Sequence, residues 1–179
     1  MRTLDPPDDL PRPLLALLCS NRCPGNLVLM FYELARRLRD EGIGTMGGFQ
    51  TPMEQEALDF LIRGNQPVVW VPSWSCTVRG LAKPQREAME ERGLRLINIF
   101  EPLKSRPSKA SGEARNNWII EHADAVLVVH AHAGGLTEKA ARKALESGKP
   151  TWTLRDAAND HLKPIEQVTI DQVVEKIKG

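Results

Sequence analysis

Three short segments of the sequence are rich in glycine or small polar residues, a composition typical of phosphate-binding sites. They cover residues 19–25, 47–52 and 130–137. Glycine lets an anion approach the backbone N–H groups, hydroxyl groups donate hydrogen bonds, and a guanidinium group neutralises negative charge. We therefore predict a site for a phosphate-bearing ligand, formed by Ser20, Arg22, Gly25, Gly47, Gly48, Gly134, Gly135 and Thr137.

A fourth segment adds two residues to this predicted site. Arg115 and Asn116 place a guanidinium group beside an amide, a pair that can hold a phosphate or a base. Basic residues precede them at Lys104, Arg106 and Lys109, and this cluster could form a local positive patch. The ligand that we expect is a nucleotide or a nucleic-acid strand.

Two glutamates are weak candidates for catalysis, and each also has a structural interpretation. Glu54 is the third residue of a capping box that opens at Thr51, but as a carboxylate at the rim of a pocket it could bind a ribose hydroxyl. We favour the cap. Glu138 presents the same choice at the start of a later helix. We expect no metal, because no Cys, Asp or Glu lies at a ligand-like spacing from His130 and His132.

The composition limits the class of protein. The chain has 179 residues and 41% hydrophobic residues, which is enough for one conventional core. Its 24 basic and 23 acidic residues argue against a surface that is attractive to nucleic acid everywhere. Three cysteines are too few for a disulfide framework, and we see no signal sequence or membrane segment, so we expect a cytoplasmic protein. Neither the dinucleotide fingerprint nor the Walker lysine motif is found, and we expect no cofactor.

Apolar runs of strand length alternate with segments of helical period, a pattern that predicts parallel strands joined by crossover helices. We predict an α/β fold, a Rossmann-like three-layer α/β/α sandwich with a mainly parallel sheet of about six strands. The predicted strands cover 14–19, 43–47, 67–71, 94–100, 124–130 and 150–154. Residues 1–13 are rich in proline and aspartate and are interpreted as a lead-in, so that residues 14–179 form a single domain.

The order of these elements predicts where the ligand binds. In open parallel sheets, ligands lie beyond the carboxyl ends of the strands, where the following helices begin. The three glycine-containing segments each follow a predicted strand and should therefore share one edge of the sheet. A helix over 114–122 is predicted, with Ser111 as its cap. The amphipathic helix over 171–178 covers the sheet or contacts another subunit, so a homo-oligomer is possible.

The same segments resemble the DNA processing protein A family (DprA, also called Smf), part of the SLOG superfamily of Rossmann-like proteins. Residues 19–22, Cys-Ser-Asn-Arg, are similar to the family's Gly-Ser-Arg, and residues 47–54 to its Ser-Gly-x-Ala-x-Gly-Ile-Asp. Residues 115–120 and 123–129 are similar to Arg-Asn-Arg-Ile-Ile and Asp-Ala-Val-Leu-Val-Val. The resemblance covers about residues 14–154 and implies binding of single-stranded DNA in a basic pocket and loading of a recombinase, without catalysis.

The departures from the family pattern suggest a compact, stand-alone member. The second arginine of the Arg-Asn-Arg motif is Asn117, and the loop at Gly134 and Gly135 differs in length. A free nucleotide is then the expected ligand as much as DNA, and the sequence leaves open whether a recombinase partner exists. The enzyme alternative is a LOG-like nucleoside monophosphate phosphoribohydrolase, because residues 133–138 keep two glycines, the threonine and a glutamate of that family's motif.

Overall fold

The computed structural model describes residues 9–100 and 106–179. In these residues seven parallel strands form one sheet in the order β4-β3-β2-β1-β5-β6-β7. The strands are β1 (Leu15–Cys19), β2 (Thr45–Gly47), β3 (Val68–Trp70), β4 (Leu94–Leu96), β5 (Ala125–His130), β6 (Thr151–Leu154) and β7 (Glu166–Val168). The predicted α/β class and parallel sheet are confirmed, with one strand more than the six expected.

Helices cover both faces of the sheet and give the three layers. They are α1 (Gly25–Asp40), α2 (Pro52–Leu61), α3 (Lys83–Glu91), α4 (Lys109–His122), α5 (Leu136–Glu146) and α6 (Ile170–Lys178), with short 3-10 helices at Val78–Gly80 and Ala157–Leu162. The core on one face takes its buried helical residues from α1, α2, α3 and α6, and the core on the other face from α4 and α5. No helix in the described residues combines the length and the hydrophobicity needed to cross a bilayer.

The burial of β1 on both faces explains its uninterrupted apolar sequence. Leu15 and Leu17 face one core, while Ala16 and Leu18 face the other, as the alternation of side chains along a strand requires. The strand pairs with β2 on one side and β5 on the other. Because the chain leaves β1 and β5 toward opposite faces, the β1/β5 boundary is the point where the winding of the sheet reverses. Ligands of this architecture bind at such a point.

Three parts of the sequence prediction need correction or completion. The helix expected over 114–122 begins earlier, at Lys109, and its cap is Ser108 rather than Ser111. Ser111 is instead the second member of this capping box, since its side chain accepts a hydrogen bond from the Ser108 backbone N–H at 2.8 Å. Strand β7 is not predicted, because its residues are too few and too polar to form an apolar run.

Contacts with the domain begin before residue 14. Leu10 is buried in the core beside α4 and α5, and Arg12 forms an ion pair of 2.5 Å with Asp124. The rest of the predicted lead-in, residues 1–8, lies outside the described residues, as does Lys104. At the other end of the chain, α6 packs on the sheet through Val173 and Val174.

Candidate functional site

A cleft of about 670 Å³ lies at the carboxyl edge of the sheet, next to the β1/β5 boundary. The loop after β1 and the first turns of α2, α4 and α5 form its walls. Helices that follow parallel strands begin at this edge, so the N-terminal ends of three helices meet around one space. Of the residues singled out in the sequence, those that line the cleft are Ser20, Arg22, Glu54, Arg115, Asn116, Gly135 and Thr137.

Ser20 joins the two loops that leave the sheet at the β1/β5 boundary. Its backbone N–H donates to the His130 carbonyl oxygen at 2.9 Å, and its Oγ accepts a hydrogen bond from the His132 backbone N–H at 2.8 Å. Only 7% of the residue is exposed. Because Oγ accepts from His132, the hydroxyl hydrogen is left to donate, and a ligand oxygen in the cleft could accept it.

The Glu54 carboxylate holds the backbone on the opposite wall. It accepts hydrogen bonds from the N–H groups of Cys19 at 3.0 Å, Gln50 at 3.0 Å and Thr51 at 3.1 Å. The Glu54 N–H in turn donates to Thr51 Oγ1, so the capping box read from the sequence is confirmed. Glu54 therefore ties the end of β1 to the loop after β2, and its carboxylate oxygens are already engaged.

Gly48 supports the guanidinium group of Arg115. A Cβ atom at position 48 would lie 2.0 Å from Arg115 Nη1 and 2.4 Å from Cζ, so a side chain there would displace the guanidinium group. Arg115 reaches this position from α4, and its Nε donates to Asn116 Oδ1 at 2.9 Å. Gly48 does not line the cleft. Its part in the site is to leave room for Arg115.

The neighbours of Gly48 shape the same turn. Phe49 is buried and has a φ of 42°, in the left-handed region that a residue with a side chain rarely adopts. Its ring folds back so that a Cβ on Gly47 would lie 3.0–3.2 Å from the ring atoms. Gly47 is thus also placed behind the cleft, where it makes space for Phe49. Backbone of this kind often accompanies functional sites.

The positive charge of Arg115 has no ion-pair partner in the described part of the chain. Burial lowers the pKa of the guanidinium group, while the Glu54 carboxylate acts in the opposite direction. Arginine nevertheless remains protonated at neutral pH. A partly buried positive charge therefore faces the cleft without a bound carboxylate.

Two further cations line the cleft and are exposed to solvent. Arg22 lies in the loop after β1, and Lys109 is the first residue of α4. Lys109 and Arg115 belong to the basic cluster noted in the sequence. Arg106, from the same cluster, is exposed but does not line the cleft. The sequence does not mark Lys109 as an individual site residue, because the helix predicted over 114–122 starts five residues after the true start.

The first turn of α5 contributes Gly135 and Thr137 to the cleft. The N-cap of this helix is Gly135, which offers no side-chain cap, so the first-turn N–H groups face the cleft region without one. Gly134 stands just outside the lining with a φ of +75°, and its N–H donates to Glu138 Oε2 at 2.7 Å. Gly134 thus shapes the turn that leads into the helix.

Glu138 is held away from the cleft by Arg142. Its Oε1 accepts from Arg142 Nε at 2.9 Å and from Nη2 at 2.7 Å. The hydrogen bond from Gly134 and then the contact with Arg142 lower the pKa of the Glu138 carboxyl. Glu138 is therefore ionised at neutral pH and serves the fold of this corner.

Among the remaining residues, Cys19 and His132 line the cleft, whereas Gly25 and His130 lie beside it. Gly25 is the first residue of α1 and is exposed, outside the lining. The interaction between the neighbouring thiols of Cys19 and Cys23 raises the pKa of Cys19 and lowers that of Cys23. His130 is buried, with Nδ1 2.9 Å from Asn159 Oδ1. Within residues 9–100 and 106–179, no group of three or more His, Cys, Asp or Glu side chains is arranged to hold a metal ion.

The fold and the position of the cleft define the chain as a Rossmann-like α/β protein with its site at the winding reversal of a parallel sheet. Among solved structures it is similar to DNA processing protein A from Streptococcus pneumoniae, with a TM-score of 0.73 and 15% identity over 92% of this chain. This comparison covers 62% of the Streptococcus protein, so the chain spans less than two thirds of its length. The expected likeness to the DprA family is thereby confirmed for the fold.

Two further structures have the same fold. DNA processing protein A from Helicobacter pylori, described with a single-stranded DNA binding mode, aligns with a TM-score of 0.64 and 20% identity, covering 91% of this chain and 72% of that protein. A molybdenum cofactor binding protein from Rippkaea orientalis aligns with a TM-score of 0.66 and 16% identity, covering 95% and 98%. No family model and no curated protein sequence matches the chain.

Proposed function

We propose that the cleft binds a phosphate-bearing ligand, either a nucleotide or single-stranded DNA, and that it does so without catalysis. The observation that carries this proposal is the uncompensated charge of Arg115. Charged groups withdrawn from water are usually paired, because desolvation of an isolated charge is costly. A ligand phosphate next to the guanidinium group would provide the missing partner.

The other groups around the cleft suit the same ligand. Arg22 and Lys109 add two cations, and the first turn of α5 presents backbone N–H groups without a side-chain cap. Since the whole chain has a formal net charge of only +1, attraction to an anion must be local to this edge. Three cations can neutralise up to about three phosphates, which favours a short ligand or a short stretch of a strand.

The structural neighbours support the proposal in outline. One of them is described as binding single-stranded DNA, and another as binding the molybdenum cofactor, so this fold accommodates different ligands. A role in DNA processing or recombination, a cytoplasmic location and assembly into a homo-oligomer are the wider parts of the proposal. A recombinase partner is not part of it.

A phosphoribohydrolase is the less favoured alternative. Glycosidic cleavage needs a carboxyl group that can protonate the leaving base or stabilise the developing cation. Glu54 accepts three backbone hydrogen bonds, and Glu138 is held by Gly134 and Arg142. Both carboxylates are therefore engaged in holding the protein together, and neither is available as a proton donor.

Fluorescence titration at several salt concentrations tests the binding proposal. The probes are a fluorescein-labelled oligothymidine and a fluorescent adenosine monophosphate. We expect the logarithm of the association constant for the oligonucleotide to fall with the logarithm of salt concentration, with a slope of about −2 if three phosphates are neutralised. Replacing Arg22 with Ala should reduce this slope by about 0.7, because one phosphate contact is lost.

Arg63→Ala is the matched control. Arg63 is exposed and follows α2, whose C-terminal end lies at the opposite edge of the sheet, so its loss should leave binding unchanged. Absence of binding of both probes at low salt would refute the proposed function. Release of free adenine from adenosine monophosphate, detected by chromatography and lost in Glu54→Gln or Glu138→Gln, would favour the hydrolase instead.

A further inference from the structure

We propose that Gln50 and Ser73 are positioning residues that hold Arg115 with neutral oxygen atoms, so that its full positive charge remains available to an anion. This inference rests on the proposed function and assigns a role to two residues that the sequence motifs do not single out. Gln50 lines the cleft, and Ser73 lies behind it, in the loop after β3.

The hydrogen bonds around the guanidinium group define this arrangement. Arg115 Nη1 donates to Gln50 Oε1 at 3.2 Å, and Nε donates to Asn116 Oδ1 at 2.9 Å. Both acceptors are amide oxygens, which orient the guanidinium plane but carry no net charge. Of the five N–H donors of arginine, these bonds use two, and the others include both donors on Nη2.

Ser73 fixes the orientation of the Gln50 side chain. Its hydroxyl donates to Gln50 Oε1 at 2.6 Å, and the serine is fully buried, with 0% exposed. Because two donors converge on Oε1, the amide oxygen rather than the amide nitrogen is turned toward Arg115. The loop after β3 does not line the cleft, but through Ser73 it fixes the orientation of Gln50, which does.

The backbone turn after β2 brings the remaining contact surface into place. Gly48 leaves the space that the guanidinium group occupies, and Phe49, in its left-handed conformation, reverses the chain before Gln50. As a result, the Gly48 backbone and the Gln50 side chain contact the same guanidinium group. Elements that follow β2 and β3 therefore hold a side chain that comes from α4.

The nearby carboxylate is kept from forming a salt bridge with Arg115. Glu54 is close enough to influence the pKa of Arg115, but its oxygens accept the N–H groups of Cys19, Gln50 and Thr51. A carboxylate at position 50 would behave differently, because it would neutralise the guanidinium group directly. Substitution of Gln50 can therefore separate orientation from charge.

Two substitutions of Gln50 and one control variant test the inference with the same two probes. Gln50→Glu should weaken binding about tenfold or more and reduce the salt slope by about 0.7, because an internal ion pair replaces the phosphate contact. Gln50→Met keeps the volume without the acceptor, and it should weaken binding about threefold at an unchanged salt slope. Asn65→Asp is the control, since it adds the same charge at an exposed position between α2 and β3, at the opposite edge of the sheet.

A double-mutant cycle links the effect to Arg115. When Gln50→Glu is combined with Arg115→Ala, the carboxylate introduced at position 50 has no guanidinium group to neutralise. In the Arg115→Ala background, Gln50→Glu should therefore cause little further loss of affinity. Equal losses in Gln50→Glu and Asn65→Asp, or an additive cycle, would overturn the inference while leaving the proposed function intact. Thermal denaturation of each variant verifies that it is folded.

A measurement without ligand keeps the inference testable even if neither probe binds. In a nitrogen-15 correlation spectrum of the full chain, the Nε–H signal that disappears in Arg115→Lys should be sharp and protected from exchange. Gln50→Met and Ser73→Ala should broaden it, whereas Asn65→Asp should leave it unchanged. An Arg115 signal that is already broad in the unmodified protein, or unaffected by Gln50→Met, would contradict the positioning role.

Discussion

Two arginines on neighbouring helices are held in opposite ways. Arg142 on α5 donates twice to the Glu138 carboxylate and also to the carbonyl oxygens of His161 at 3.0 Å and Lys163 at 3.3 Å. Arg115 on α4 donates to amide oxygens only. The charge of Arg142 is neutralised within the protein, while that of Arg115 is not. Charge compensation, more than burial, thus separates an arginine that holds the fold from one that is suited to a ligand.

Removal of Arg115 should have the largest effect on binding. We expect Arg115→Ala to weaken oligothymidine binding at least about tenfold, because a hydrogen bond to a charged group is worth roughly 1.5–3 kcal/mol. Its thermal midpoint should change little, since only two neutral contacts are lost. Titration and thermal denaturation of the same sample check both parts. A large fall in the midpoint with unchanged affinity would reverse the assignment of the two arginines.

Removal of Arg142 should affect stability instead. Arg142→Ala leaves the Glu138 carboxylate and two carbonyl groups without their donor, and the free energy of unfolding should fall by about 1 kcal/mol at this partly exposed position. Urea denaturation measures the change. Probe affinity should stay within about twofold of the unmodified protein. A loss of affinity as large as that of Arg115→Ala would show that the corner around α5 belongs to the ligand site.

A methyl group at position 48 should sharpen the comparison. Gly48→Ala places a Cβ where the guanidinium group now lies, 2.0 Å from Arg115 Nη1, so the flexible end of Arg115 must move. We expect affinity to fall about threefold to fivefold, with the charge and therefore the salt slope retained. Gly134→Ala serves as the comparison, because nothing lies within 4 Å of a Cβ there and only its backbone is strained. Unaltered affinity in Gly48→Ala would show that Arg115 binds no anion from this position.

The smallest expected effect is the contribution of Glu138 to stability at low pH. Contacts with Gly134 and Arg142 hold the pKa of Glu138 below its ordinary value of 4.5. A carboxyl group whose pKa is lowered by folding stabilises the protein above its unfolded-state pKa, and this contribution is lost as the pH falls through the folded-state value. The thermal midpoint of the unmodified protein should therefore fall more steeply than that of Glu138→Gln as the pH is lowered below about 4.5. If the thermal midpoints of the two proteins fell in parallel with pH, Glu138 would not contribute to the acid sensitivity of the fold.

The sequence predicts most of the fold because the central strands are continuously apolar. Residues of β1 and β5 are buried on both faces, and their runs stand out without any alternation. Peripheral elements are harder to predict. In β7, Glu166 is exposed and Gln167 is partly exposed, so neither burial nor period distinguishes this strand from a loop. The start of α4 was misplaced because Ser108 and Ser111 are both good capping residues, and only the structure shows that they cap each other.

The sequence predicts which loops meet at the cleft better than which of their residues line it. Ser20, Arg115 and Gly135 do meet at one cleft. Gly47 and Gly48 lie behind it, where the absence of a side chain leaves room for Phe49 and Arg115. A Gly-Gly pair has the same appearance in the sequence whether it leaves room for other side chains or contacts a ligand. Likewise, nothing in the sequence around Gln50 reveals that the left-handed residue before it turns its side chain toward α4.

The hydrogen bonds made by Ser20 and Glu54 affect the entropy cost of ligand binding in the cleft. They fix the backbone on both sides of the β1 carboxyl end before any ligand arrives. Ordering a backbone costs roughly 1–2 kcal/mol per residue, and here that entropy is lost during folding instead of at the encounter with the ligand. Even a small anion, which can make few contacts, would meet a preorganised surface and would not have to order the backbone when it binds.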